Sequence, residues 1–153
     1  MTDSARFDIN AIAASMPPTA ETLLLDRYLV DDAHASARVF RVYRGTPPHY
    51  HIGSDEFLYV VSGRGTFWIG DETTKADFAP GQLLFFKRNI VHALPDLFEE
   101  PVVFLAIDSP RREPTDIHFV DPASGTAQSF IAKDPGPLPL DSAGGKRPQT
   151  RST

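Results

Sequence analysis

From Thr22 to Ile107 the chain is a succession of short β-prone runs, each closed by turn-forming residues. Leu23 to Val30 is strand-like and stops at Asp31-Asp32. Ala35 to Arg44 alternates, with Arg38, Phe40 and Val42 on one side and Arg41 and Tyr43 interleaved on the other. Strand-like runs over Thr66–Ile69, Thr74–Phe78, Gln82–Phe86 and Ile90–Leu94 follow, and Pro101 opens a last core run to Ile107. Gly70-Asp71-Glu72-Thr73, Pro80-Gly81 and Lys87-Arg88-Asn89 are the turns between them. One short helix is predicted ahead of them, over Phe7 to Met16. Asp8 can cap it, Ile9 and Ile12 share a side, and Pro17-Pro18 ends it. Many short strands beside one short helix predict an all-β sandwich or barrel.

The 153 residues suffice for one domain with a real core. The expected division is an N-terminal arm with a short helix over 1–20, the barrel over 21–132 and an irregular tail over 133–153. That tail is rich in Pro, Gly, Ser and charge, and is expected to be mobile or draped on the surface. A formal net charge of −5 argues against a nucleic-acid surface, and no helix-turn-helix pattern appears. The absence of cysteine excludes thiolate metal sites and disulfides and fits a cytosolic chain. No apolar run approaches a membrane span, and the first residues do not read as a secretory leader. A cytoplasmic protein with no nucleic-acid or membrane partner is the expectation.

The chemistry-bearing stretch is Gly45 to Gly63. His49 and His51 stand two apart, so in an extended strand they project to one face. Neutral imidazole ligates first-row transition metals, and Glu56 supplies an anionic oxygen nearby. Asp55 is the other carboxylate, but it points to the opposite face from Glu56. His92, after the Lys87-Arg88-Asn89 turn, can be delivered to the same place by a later strand. Three imidazoles and one carboxylate leave one or two octahedral positions open. His34 reads as a surface residue and His118 as structural or exposed.

These residues resemble the paired motifs of the cupin superfamily, small jelly-roll barrels also described as double-stranded β-helices. The first motif is matched by His49-Tyr50-His51, four residues, Glu56, six residues and Gly63. Gly45 lies closer to His49 than the motif's opening glycine would. The second motif is matched in spacing by Gly81, five residues, Lys87-Arg88-Asn89, two residues, His92, three residues and Asp96. Lys87 replaces the motif's Pro, Asn89 its Gly and Asp96 its Asn. The resemblance spans residues 20 to 108. It implies one divalent metal (iron, manganese, nickel, zinc or copper) on His49, His51, Glu56 and His92.

Inward residues should then be Glu56, Leu58 and Val60, and outward ones Phe57, Tyr59 and Val61. The resemblance implies a homodimer, for which Phe57 and Tyr59 are interface candidates. One of Phe67 and Trp68, and one of Phe85 and Phe86, should meet a small, mainly apolar pocket. Gln82 and Arg41 are inward candidates on parity alone. Thr115 to Ala132 could close the pocket mouth or pack outside. The functional expectation is a metal-dependent enzyme of dioxygenase, isomerase or lyase type on a small organic molecule. The alternatives are a non-catalytic ligand-binding or sensing module and a structural barrel. The chain carries no motif that names a substrate.

Overall fold

The computed structural model describes residues 3–136 and 138. Ten strands form one curled sheet: β1 (Leu24–Asp32), β2 (Ala35–Val42), β3 (Thr46–Tyr50), β4 (Asp55–Ile69), β5 (Ala76–Phe78), β6 (Leu83–Phe86), β7 (His92–Leu94), β8 (Leu97–Ser109), β9 (His118–Phe119) and β10 (Ile131–Lys133). The hydrogen-bonded order is β10-β1-β2-β8-β4-β7-β3-β9, and β5 and β6 both pair with β4. The all-β jelly-roll expectation holds. Two strands are longer than the turn signals suggested: β4 runs through Ser62-Gly63 and β8 through Pro101. Both continue because their pairing shifts register between Val60 and Gly65, so the strand bends there instead of ending. Gly63 sits at that bend with φ +86, and a Cβ there would meet Pro101 O at 2.6 Å.

The helix α1 (Ile9–Ser15) forms where the capping signal placed it, with Asp8 accepting from the backbone N–H of Ala11 at 3.0 Å. It covers the outer side of the barrel wall. Ile12, Ala13 and Met16 pack there with Leu29, Val39 and Val103 in one buried cluster. Alternation on β2 sends the neighbours of Val39 the other way. Phe40 and Val42 join Leu58, Val60, Phe86, Leu94 and Phe104 in the interior cluster. The barrel thus has two cores, one under α1 and one inside.

β4 obeys the same parity. Glu56, Leu58 and Val60 are buried, whereas Tyr59 is exposed and Phe57 half-buried. Phe57 stacks on Phe85 across the β4–β6 pair at 4.8 Å between ring centroids, and Leu83 is exposed beside them. Phe85 faces out and Phe86 in. Phe67, not Trp68, packs on the interior cluster near Phe86.

The chain after β8 returns across the barrel. It forms β9, a short helix α2 (Ala127–Phe130) with a Thr126 capping box, and then β10, parallel to β1. The expected irregular tail is ordered at its start, where Lys133 belongs to β10. The buried Arg27 donates from Nε to Asp134 at 2.7 Å and from Nη1 to Ser15 Oγ at 2.6 Å, tying this segment to the end of α1. The rest of the tail expectation, from 139 onward, lies outside the described residues. Among the described residues no helix is long and apolar enough to cross a membrane.

Candidate metal centre

Three strands and one turn assemble the site. His49 lies on β3, directly opposite His92 on β7, and the two ring centroids are 4.4 Å apart. His51 follows β3 by one residue and stays on the same side. Candidate ligand atoms of His49, His51 and His92 all lie within 4.8 Å of one another, and all three rings are buried. Glu56, at the start of β4, places Oε1 3.7 Å from His51 Nε2 and 3.7 Å from His92 Nε2. Asp55 points away and binds Arg88 at 3.0 Å.

Each imidazole is oriented through its far nitrogen. His49 Nδ1 donates to Pro47 O at 2.7 Å, His51 Nδ1 to Asp116 O at 2.6 Å, and His92 Nδ1 to Ile90 O at 3.1 Å. A carbonyl can only accept, so Nδ1 carries the proton and Nε2 keeps its lone pair. Nε2 of His51 and of His92 is buried with no hydrogen-bond partner. Orphaned buried acceptors are costly unless something satisfies them. Two such lone pairs facing a carboxylate oxygen fit a cation.

The turn before His92 shows how this chain manages without the motif's Pro and Gly. Asn89 adopts φ 66, the left-handed conformation that asparagine tolerates. Its N–H donates to His51 O at 2.6 Å, and the Arg88 N–H donates to Asp55 Oδ1 at 3.0 Å. Contacts to the other motif thus hold the turn that a proline would have stiffened.

Behind Glu56 lies a buried ion network that the sequence reading did not anticipate. Arg38 reaches three carboxylates: Asp26 at 3.2 Å, Glu56 Oε2 at 3.2 Å and Asp108 at 3.0 Å. Burial works against the Arg38 charge, but the three carboxylates outweigh it and raise its pKa. Arg112 is buried beside them, and burial together with the charge on Arg38 pushes it below the ordinary arginine range. Burial also pushes the Glu56 carboxyl up. His51, Arg112 and His92 overcome that and hold it well below the usual carboxylate value.

The inward candidate Arg41 is corrected. It stacks on Tyr43 and donates to Pro17 O at 3.2 Å on the outer side, because Arg38 holds the inward parity of β2. Gln82 is exposed and accepts from the Ala79 N–H at 2.8 Å, closing its own turn. His118 binds Asp116 at 2.8 Å and stacks on Tyr50, and His34 is exposed.

The returning segment packs against the site. Phe130 packs edge-on to His49 at 4.8 Å, and the Asp116 carboxylate accepts from the N–H groups of Ile52 and Gly53 at 2.9 and 2.8 Å. Of the stretch Thr115 to Ala132, Phe130 and Ile131 line the site, and Asp116 binds the backbone beside His51. A cavity of only about 20 Å³ remains beside the rings, room for an ion or a water. Phe86 stacks flat on His92 at 4.1 Å and forms its apolar floor. Neither Phe130 nor Arg112 lay within a motif, so no sequence signal marked them. Alternation grouped Arg38 with Phe40 and Val42 but did not single it out, and the inward candidate on that strand was Arg41.

Burial, then the neighbouring imidazoles, pushes His49 well below 6.5. Burial pushes His92 down to about 4 from an ordinary 6.5, despite the opposing pull of Glu56. The unfolded chain therefore binds more protons between these values, and stability present above pH 6.5 is lost as pH falls toward 4. The metal-free protein should lose roughly 3 kcal/mol across that window through His92 alone. Urea midpoints at pH 7.5 and 4.5 check this, and equal midpoints would contradict a buried neutral ring.

The family described as "Cupin domain" matches residues 39–108, which contain all four candidate ligands. Among solved structures, the chain is similar to an uncharacterized conserved protein with a double-stranded β-helix domain from Klebsiella pneumoniae (16% identity, TM-score 0.59, covering 71% of this chain and 92% of that one). It is also similar to KdgF from Halomonas sp. (22% identity, TM-score 0.53, 60% and 82% covered). A third similar structure is an RmlC-like cupin family protein with a double-stranded β-helix fold from Methanocaldococcus jannaschii (17% identity, TM-score 0.51, 63% and 88% covered). At these identities the likeness is one of fold. No curated protein matches the chain.

Proposed function

This chain belongs to the cupin superfamily, and from that premise we propose that it is a metal-dependent enzyme for a small organic molecule, with His49, His51, His92 and Glu56 holding one divalent transition metal. The observation that carries the reading is the pair of buried, unpartnered Nε2 atoms converging with Glu56 Oε1. A bound divalent metal would supply Lewis-acid polarisation, or electron transfer if it is redox-active, which suits isomerase, lyase or dioxygenase chemistry. The chain's own part is orientation and exclusion of water. Three backbone carbonyls fix the imidazole tautomers, Arg38 holds the far oxygen of Glu56, and Phe86 and Phe130 keep the surroundings dry.

The small size of the cavity favours a second reading, a non-catalytic sensing module whose metal anchors a ligand. Turnover separates the two. The first test is elemental analysis of untagged protein beside His51→Ala and His92→Ala. About one iron, manganese, nickel, zinc or copper per chain is expected in wild type, falling at least tenfold in either variant. Full occupancy in the variants would sink the ligand assignment. Iron would direct oxygen-uptake assays, and zinc, manganese or nickel isomerase and lyase assays. A loaded protein with no turnover in any of them would leave the sensing module as the better reading.

A further inference from the structure

Two neighbouring arginines after β8 have opposite fates. Arg111 turns outward to Asp31 and Glu113. Arg112 turns in and is 3% exposed. A guanidinium cannot shed its proton to relieve burial, so it needs anions or acceptors around it. Arg112 finds few. The buried carboxylates of Asp26, Glu56 and Asp108 are all bound by Arg38. Arg112 Nε approaches only Asp108 Oδ1, at 3.6 Å, and has no hydrogen-bond partner. Its Nη1 lies 3.4 Å from His51 Nδ1, but that nitrogen already spends its proton on Asp116 O, so two donors face each other there.

Arg112 and Ile131 border both the cavity at the imidazoles and a second cavity of about 120 Å³. The second is also lined by Asp26, Tyr28, Thr115, Gln128 and Lys133. It has the volume of roughly four waters, enough for a small organic acid and well below a drug-sized ligand. Lys133 Nζ stands over the Tyr28 ring at 4.7 Å and adds a second cation. Asp26 opposes it but is engaged by Arg38.

Charge balance narrows the class. Behind the imidazoles, Arg38 and Arg112 stand against Asp26, Glu56 and Asp108 and leave one negative charge; Arg27, the third buried arginine, is bound by Asp134 near the end of α1, and Lys133 is exposed. A divalent ion on neutral imidazoles would turn that into one positive charge, which a monoanion cancels.

We propose that the site takes a small monocarboxylic acid and that Arg112 is the residue that binds its carboxylate. The inference rests on the metal reading above. The acid enters through the second cavity, and its carboxylate supplies the acceptor that Arg112 Nε lacks. Ile131, shared by both cavities, stands between the acid and the imidazoles.

The test is calorimetric titration of metal-loaded protein, with metal content measured on each sample. Glycolate and lactate are compared with glycolamide and lactamide. Wild type is expected to bind the acids at least about tenfold tighter than the amides, the scale of a charge-assisted hydrogen bond. Arg112→Met should erase that preference while keeping its metal, and Arg112→Lys should restore part of it. Equal binding of acid and amide by loaded wild type, or an unchanged preference in loaded Arg112→Met, overturns the proposal and leaves the metal reading standing. Wild type that takes up no metal overturns the metal reading and this inference with it. The acid-against-amide comparison needs no variant, so a misfolded Arg112→Met does not remove the test.

Discussion

Replacing Arg38 by methionine is expected to cost 3–5 kcal/mol of folding stability, by the scale at which one partner is lost from a buried ion network. Arg38 is 1% exposed and is the shared partner of Asp26, Glu56 and Asp108. Without it, three carboxylates remain in the interior with Ser36 Oγ, 3.0 Å from Asp108, and the poorly placed Arg112 as the remaining compensation near Asp108. Arg112→Met is the control. It removes an arginine of equal burial whose only carboxylate contact is beyond hydrogen-bond distance, so its cost should stay within about 1 kcal/mol, or stability should rise. Urea denaturation at neutral pH measures both. Equal losses would mean that Arg112 is held by the network as firmly as Arg38, and that its unpartnered Nε does not describe the protein in solution.

The same arginines show where sequence reasoning succeeds and where it stops. Period-two alternation grouped Arg38 with Phe40 and Val42, yet the inward candidate named on this strand was Arg41, of the opposite parity; the structure puts Arg38, Phe40 and Val42 on the inner face of β2. Alternation could not say that the interior at Arg38 is ionic, because Asp26 and Asp108 sit on the strands either side of β2 and meet it only through the register. The four candidate ligands were legible for a local reason. Two are spaced to share a strand face, and the motif spacings carry the others across turns. The packing of the returning segment against the site was not legible. It depends on Phe130 returning over His49 from more than eighty positions away, and nothing in a Pro- and Ser-rich stretch encodes that docking. The turn at Lys87-Arg88-Asn89 is an intermediate case. The left-handed position was readable from Asn89, but its supports, His51 O and Asp55, are tertiary contacts.

Stripping metal from the loaded protein with a chelator should lower its stability by about 4 kcal/mol at a free metal concentration a thousandfold above Kd, a drop in Tm of roughly 10 °C. The direction follows from where the ligands sit. His49, His51, Glu56 and His92 come from β3, the residue after it, β4 and β7, so one ion would cross-link three strands that otherwise meet through backbone pairing. It would also satisfy the buried Nε2 lone pairs of His51 and His92, which no protein group reaches. The unfolded chain offers no such preformed cluster, so binding free energy appears as folding free energy. In His51→Ala the chelator-dependent shift should nearly vanish, while a β-rich circular dichroism spectrum persists, because the interior cluster around Leu58, Val60 and Phe104 is untouched. A shift of wild-type size in that variant would place the stabilising ion somewhere other than these imidazoles. A wild type whose Tm is unchanged once its metal is measured to be gone would mean that the ion binds the folded and unfolded chains equally well and contributes nothing to holding the strands together.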